Sequence, residues 1–199
     1  MVKNPYNKVA SDAFDTIQLD AGVLLTAFDF TKPYDEPADN VILATTTGGI
    51  HSVCQPTYED LGEDVDNVMN NTKELLILTG WDCHWEFTSI KFNKDNIALS
   101  IGPADQGNAP TGAPAGTVKI VPRAGVEQSD FKGTLYAAFP MANGGIYVEV
   151  LKNALSTGGL DVQTTKNGKG TNKMTITGFV SIADSDTVPM EHYFIPPEA

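Results

Sequence analysis

The chain has 199 residues, 41% of them hydrophobic and 19% charged, with a formal net charge of −12. That length supports one domain with a sizeable core, the acidic balance excludes a surface that grips nucleic-acid phosphates, and no run approaches the ~20 apolar residues of a membrane-spanning helix. Eighteen glycines and twelve prolines, with many Thr, Val and Ile residues, favour short strands joined by turns, so the expected class is mainly β.

The opening MVKNPYNKVASDAFD lacks an apolar h-region, which predicts synthesis in the cytoplasm without a cleaved export signal. Thr16 to Asp20 is a short strand candidate, and Gly22 to Phe30 continues as an apolar run. TKPYDEPADN follows, and its two prolines and three acidic residues predict an extended loop at about 30–40. Val41 to Thr47 regains strand character, Gly48-Gly49 predicts a turn or bulge, and Ile50 to Tyr58 reads as another strand. An acidic stretch without sustained period, Asp60 to Asn71, predicts a second long loop at about 60–71. Thr72 to Leu76 then reads as one helical turn or as the approach to the next strand.

From Gly80 the period is two: Trp81, Cys83, Trp85 and Phe87 share one face, and Asp82, His84, Glu86 and Thr88 share the other. After Phe92 the period lengthens, which predicts one helix at about Asn93–Ile101, capped by Asn93 and stopped by Gly102-Pro103, with Ile97, Ala98 and Ile101 facing the core. A Gly-, Pro- and Ala-rich excursion is expected at about 106–116. Six strand candidates follow at Thr117–Pro122, Phe131–Phe139, Gly145–Lys152, Leu160–Thr165, Lys173–Ile182 and Val188–Ile195. Turn-like pieces such as Asn143-Gly144-Gly145 and Lys166–Gly170 separate them, which predicts antiparallel hairpins and hence a sandwich or barrel, in a single domain over 1–199.

Chemistry-bearing clusters are few. Cys54 and Cys83 are too few for a disulfide framework and read as buried free thiols. With His51 and His84 they form the one soft-ligand set, yet strand parity sends His51 and Cys54 to opposite faces, and Cys83 and His84 likewise, so no metal site is expected. Glu59, Asp60, Glu63, Asp64 and Asp66 lack the spacing of a calcium loop and read as a solvated acidic turn. No nucleophile elbow surrounds His51, His84 or His192, and no pair of carboxylates stands out for glycoside hydrolysis. The glycine pairs at 48–49, 144–145 and 158–159 lack a phosphate-cradling context. No catalytic, cofactor or metal residue is therefore assigned.

Seven blocks in order cover most of the chain: FDTIQLDAGVLL (Phe14 to Leu25), ATTTGGI (Ala44 to Ile50), YEDLGEDVDN (Tyr58 to Asn67), NNTKELLILTGWD (Asn70 to Asp82), NKDNIALSIGPAD (Asn93 to Asp105), LKNALSTGGLDVQTT (Leu151 to Thr165) and DSDTVPMEHYFI (Asp184 to Ile195). Together they resemble the major tail protein, or tail tube protein, of long-tailed bacteriophages and related prophages. Gly107 to Ala115 and Gly133 to Ala142 match less well. The resemblance implies a β-sandwich or barrel-like subunit with a flanking helix and no enzymatic activity or cofactor. Such subunits assemble into rings, usually hexameric, that stack into a tube in the virion tail. One sheet of each subunit joins its neighbours, while loops and terminal arms bridge successive rings. A tape-measure protein occupies the lumen, and DNA later passes through it without specific binding. On that picture, 30–40 and 60–71 are expected to make contacts between subunits or rings. The rival reading is a carbohydrate-binding β-sandwich module using exposed aromatics such as Tyr34, Tyr58 and Tyr136; a hydrolase on a β scaffold would lack an identifiable site.

Overall fold

A computed structural model describes residues 14–36, 41–43 and 46–198. Readings that fall on 1–13, 37–40 and 44–45 lie outside the described residues. The fold is mainly β and sandwich-like, with antiparallel pairing throughout and one α-helix among the described residues. Its first sheet pairs β1 (Val23–Leu25) with β2 (Val41–Leu43) and with β7 (Lys132–Pro140), then β7 with β8 (Ile146–Ser156), and β8 with β11 (Met190–Ile195). The second sheet pairs β3 (Thr46–Asp60) with β4 (Leu76–Ser89), β4 with β10 (Thr171–Thr177), and β10 with β9 (Asp161–Gln163). A separate hairpin joins β5 (Ala104–Asn108) to β6 (Val118–Pro122).

One strand serves both sheets. Residues 146–151 of β8 pair with β11, whereas Leu155 and Ser156 pair with β10. Between the two stretches Asn153 adopts a left-handed φ of 47°, and its side-chain amide donates to Phe179 O at 2.9 Å. Asparagine tolerates that conformation better than most residues, so the chain turns from one layer to the other without losing its partners.

The core lies between the layers. Leu24, Leu135, Ala137, Phe139 and Leu151 from the first sheet meet Cys83, Trp85, Phe87, Met174 and Ile176 from the second. Cys83, Trp85 and Phe87 thus occupy the dry face that alternation predicted. Trp81 departs from it, at 39% exposed, because the β3–β4 hairpin has run past the edge of the opposing sheet by that point.

Most predicted elements are present, and the differences have local causes. Of the turn or bulge predicted at Gly48-Gly49, the structure has the bulge: both residues take positive φ inside β3, and the register against β4 slips between Thr47 and Ile50. The candidate at Thr16–Asp20 reduces to an isolated bridge of Gln18 with Met141, and the apolar run after Gly22 holds only the three residues of β1 before Phe28 and Phe30 turn onto the outside of the first sheet. The excursion near 106–116 is shorter than expected, since Ala104–Asn108 pairs with β6.

Helix α1 (Lys94–Ile101) starts as predicted, with Asn93 Oδ1 accepting the Asn96 N–H at 2.7 Å. Its buried face does not match the prediction. Asn96 and Ser100 are the fully buried residues, while Ile97, Ala98 and Ile101 are half-buried. The last turn of the helix meets the end of β8 through carbonyls: Ser100 Oγ donates to Gly159 O at 3.0 Å, and Ser156 Oγ donates to Ser100 O at 2.6 Å. Polar side chains are needed there, because an unpaired buried carbonyl is costly.

Candidate functional site

The feature that a closed sandwich does not require is the far half of the β3–β4 hairpin. Up to the Cys54–Cys83 pair the hairpin is covered by the first sheet; beyond it, Gln55–Asp60 and Leu76–Asp82 remain paired but project as an arm. Tyr58, Leu61, Val65, Leu76, Ile77 and Leu78 are all exposed on this arm, and Met69 is 83% exposed. Strand β3 is also terminal in its sheet, so the edge away from β4 carries no partner among the described residues. An exposed edge of 15 residues is a ready template for pairing with another chain.

The tip of the arm is ordered by its acidic residues. Asp60 accepts the Gly62 N–H at 2.9 Å through Oδ1 and the Asn71 N–H at 2.6 Å through Oδ2. Asp64, Asn67 and Asn71 take left-handed φ values of 63°, 65° and 62°, which Asp and Asn tolerate in turns. The Asp60 carboxylate of this acidic turn is thus engaged by backbone amides, and no group of three or more metal-ligating side chains occurs among the described residues.

The outer face of the second sheet is polar. His51 faces Glu86 at 3.7 Å, and His84 Nδ1 lies 2.8 Å from Asp82 Oδ1. Cys54 and Cys83 turn inward, opposite each other, so the geometry separates the histidines from the thiols as strand parity predicted. By contrast, the outer face of the first sheet is apolar over β7 and the middle of β8, with the Lys152–Glu191 ion pair at its side. Val148 and Val150 are buried there, and Phe28 and Phe30 pack on Tyr136. The described part of the loop expected at 30–40 is anchored over this face: the Phe30 ring packs at a tilt against Tyr193, and the Tyr34 hydroxyl donates to Pro196 O.

Two polar clusters had no sequence signal. Inside the sandwich Glu149 is 4% exposed, and its carboxylate accepts from Trp85 Nε1 at 2.7 Å and from the Tyr147 hydroxyl at 2.8 Å. With that hydroxyl proton directed at Glu149, His192 Nδ1, 2.7 Å from the phenol oxygen, is left to donate, which places the ring proton on Nδ1. Burial first, and Glu149 second, push the Tyr147 phenol above its usual pKa. The second cluster surrounds Arg123, which bonds Asp105 and Asp130, each at 2.5 Å, and so ties the β5–β6 hairpin to the 3-10 turn at Gln128–Asp130. The Glu127 N–H and the Arg123 guanidinium hold the Asp130 carboxyl below the usual carboxylate range.

A cleft of about 640 Å³ opens beside this second cluster, between α1, β5 and β7. Its carboxylates Asp95, Asp105, Glu127 and Asp130 outnumber the cations Lys91, Arg123 and Lys132, so its lining is slightly acidic. His192 ends the interior relay, and no serine hydroxyl is hydrogen-bonded to any of the three histidines among the described residues. The three tyrosines do not converge either, and Tyr136, expected to be exposed, is half-buried because Phe28 and Phe30 pack on it. Tyr34 and Tyr136 lie by the outer face of the first sheet, whereas Tyr58 stands on the arm of the second.

No protein-family model matches the chain, and no curated protein matches it significantly.

Proposed function

We propose that the chain is a structural subunit that assembles with copies of itself into stacked rings, forming the tail tube of a long-tailed phage or prophage. One observation carries this reading: an unpartnered 15-residue edge strand continues out of the sandwich into an arm with exposed apolar side chains. Beyond the bulge at Gly48-Gly49 and Pro56, which interrupt it, that edge is left open, and ring closure between copies covers it. The polar outer face of the second sheet, bearing His51, Asp82, His84 and Glu86, is the face suited to a wet lumen. The first sheet already has its outer face covered by Phe28 and Phe30. A net charge of −12 suits a conduit that must let DNA slide rather than stick. Six-fold rings, a tape-measure partner and a location in the virion tail come with the resemblance. The arm tip at 60–71 is assigned to contacts between subunits or rings.

Carbohydrate binding has less support, because Tyr34, Tyr58 and Tyr136 share no platform. The test is negative-stain microscopy of the purified chain beside the double variant Leu76→Lys, Leu78→Lys. Rings or tubes are expected from the natural sequence, and only dispersed subunits with an unchanged circular dichroism spectrum from the variant. Normal tubes from the variant would remove the arm from the interface, and a strict monomer that binds glycans would favour the rival reading.

A further inference from the structure

We propose that Cys54 and Cys83 are a modification site: a thiol pair that a small-molecule disulfide converts to an intrachain disulfide, forming a clasp across the root of the arm. The two residues are direct partners in the β3–β4 register, and their sulfur atoms are 3.6 Å apart. Directly opposed residues of an antiparallel pair have Cα atoms about 4.5–5.5 Å apart, inside the range of about 4.4–6.8 Å that disulfides span. Closure requires the sulfurs to approach by roughly 1.6 Å, to a bond of about 2.0 Å. Side-chain rotation supplies much of this. The register is held on both sides, by Ser52 against Trp85 and by Gln55 against Asp82, so the pair cannot slip out of opposition.

The two thiols are not equivalent. Cys83 is fully buried, and burial, followed by the hydrogen bond with Cys54, pushes its pKa up to about 12. Cys54 is half-buried and is the sulfur that a reagent meets first. Its thiolate attacks one sulfur of the reagent disulfide RSSR, forming Cys54–S–S–R and releasing RS⁻. The Cys83 thiolate then attacks Cys54 Sγ and expels the second RS⁻. Two thiol protons end on two RSH molecules, the cysteines lose two electrons, and the reagent gains them. Because Cys83 resists ionisation, the second step is slow at neutral pH and accelerates as pH rises.

The pair is the last covered rung of the hairpin, so the bond fixes the place where the arm leaves the sandwich. This inference does not depend on the tail-tube reading. The experiment treats the folded full chain with 2,2′-dithiodipyridine and follows pyridinethione release, intact mass and a non-reducing gel. Expected are two equivalents of pyridinethione per chain, a monomer lighter by two hydrogens with no adduct retained, and slower proteolysis within residues 55–82 that dithiothreitol reverses. Cys83→Ser should release one equivalent and keep the adduct on Cys54. Three outcomes overturn the proposal: two retained adducts on the natural sequence, a disulfide between chains, or no reaction while folded although the urea-unfolded chain reacts. The natural-sequence result stands alone if the variant does not fold.

Discussion

Glu149 is a carboxylate inside a sandwich, and its two donors come from different layers: Trp85 from the second sheet and Tyr147 from its own strand. Replacing it by Leu leaves the indole N–H buried without an acceptor, a loss of about 1–3 kcal/mol for an unsatisfied buried group. Urea unfolding of Glu149→Leu should show that loss, and unchanged stability would mean that Trp85 finds another acceptor. Asp130 gives a pH dependence of known sign. Its folded pKa lies below the ordinary 3.8, so its contribution is complete above that value and fades as pH falls through the depressed one. Asp130→Asn should therefore narrow the stability difference from the natural chain as pH drops below about 4, read from thermal melts between neutral and acid pH. An undiminished difference at low pH would contradict the assignment. Neither residue was legible as a polar anchor. In YVEVL, strand parity sets Glu149 apart from Val148 and Val150 but does not say that both faces of β8 are dry. Arg123 meets Asp105 and Asp130 only once the hairpin and turn are folded.

Elements were more legible than their surroundings. Each end signal of α1 lies at the helix end it marks, so Asn93 and Gly102 bounded the helix correctly, whereas the polar seam beneath it depends on Ser156 and Gly159, more than fifty positions away. Gly102 has φ 80°, and a Cβ there would lie 2.8 Å from Ser156 O. Gly102→Ala should accordingly lose about 1–3 kcal/mol through strained backbone and shift the thermal midpoint downward; a silent substitution would show that the helix end can relax away from β8. The β3 strand illustrates the reverse limit. Two glycines marked either a turn or a bulge in the sequence, and only the partners that β4 supplies on both sides of them decide for the bulge. Alternation likewise placed Trp81 with Cys83, Trp85 and Phe87. It reports the face a side chain takes, not whether another layer lies opposite.

At the scale of the molecule, alternation and turn chemistry were enough to specify antiparallel hairpins and a sandwich. The order of strands was not legible, because β1 beside β7 and β4 beside β10 are pairings between distant segments that no local signal encodes. The candidate surface was half legible. The acidic tip at 60–71 stood out as a long loop, but its setting at the end of a projecting arm follows from where the first sheet stops. The 30–40 segment also stood out, and its described part is anchored on the first sheet through Phe30 and Tyr34. Self-assembly is the central claim, and a negative-stain concentration series of the purified chain tests it most directly. The account predicts rings or tubes of uniform diameter that become more frequent as concentration rises. Dispersed single subunits at every concentration, including after addition of preformed tail-tube seeds, would contradict it.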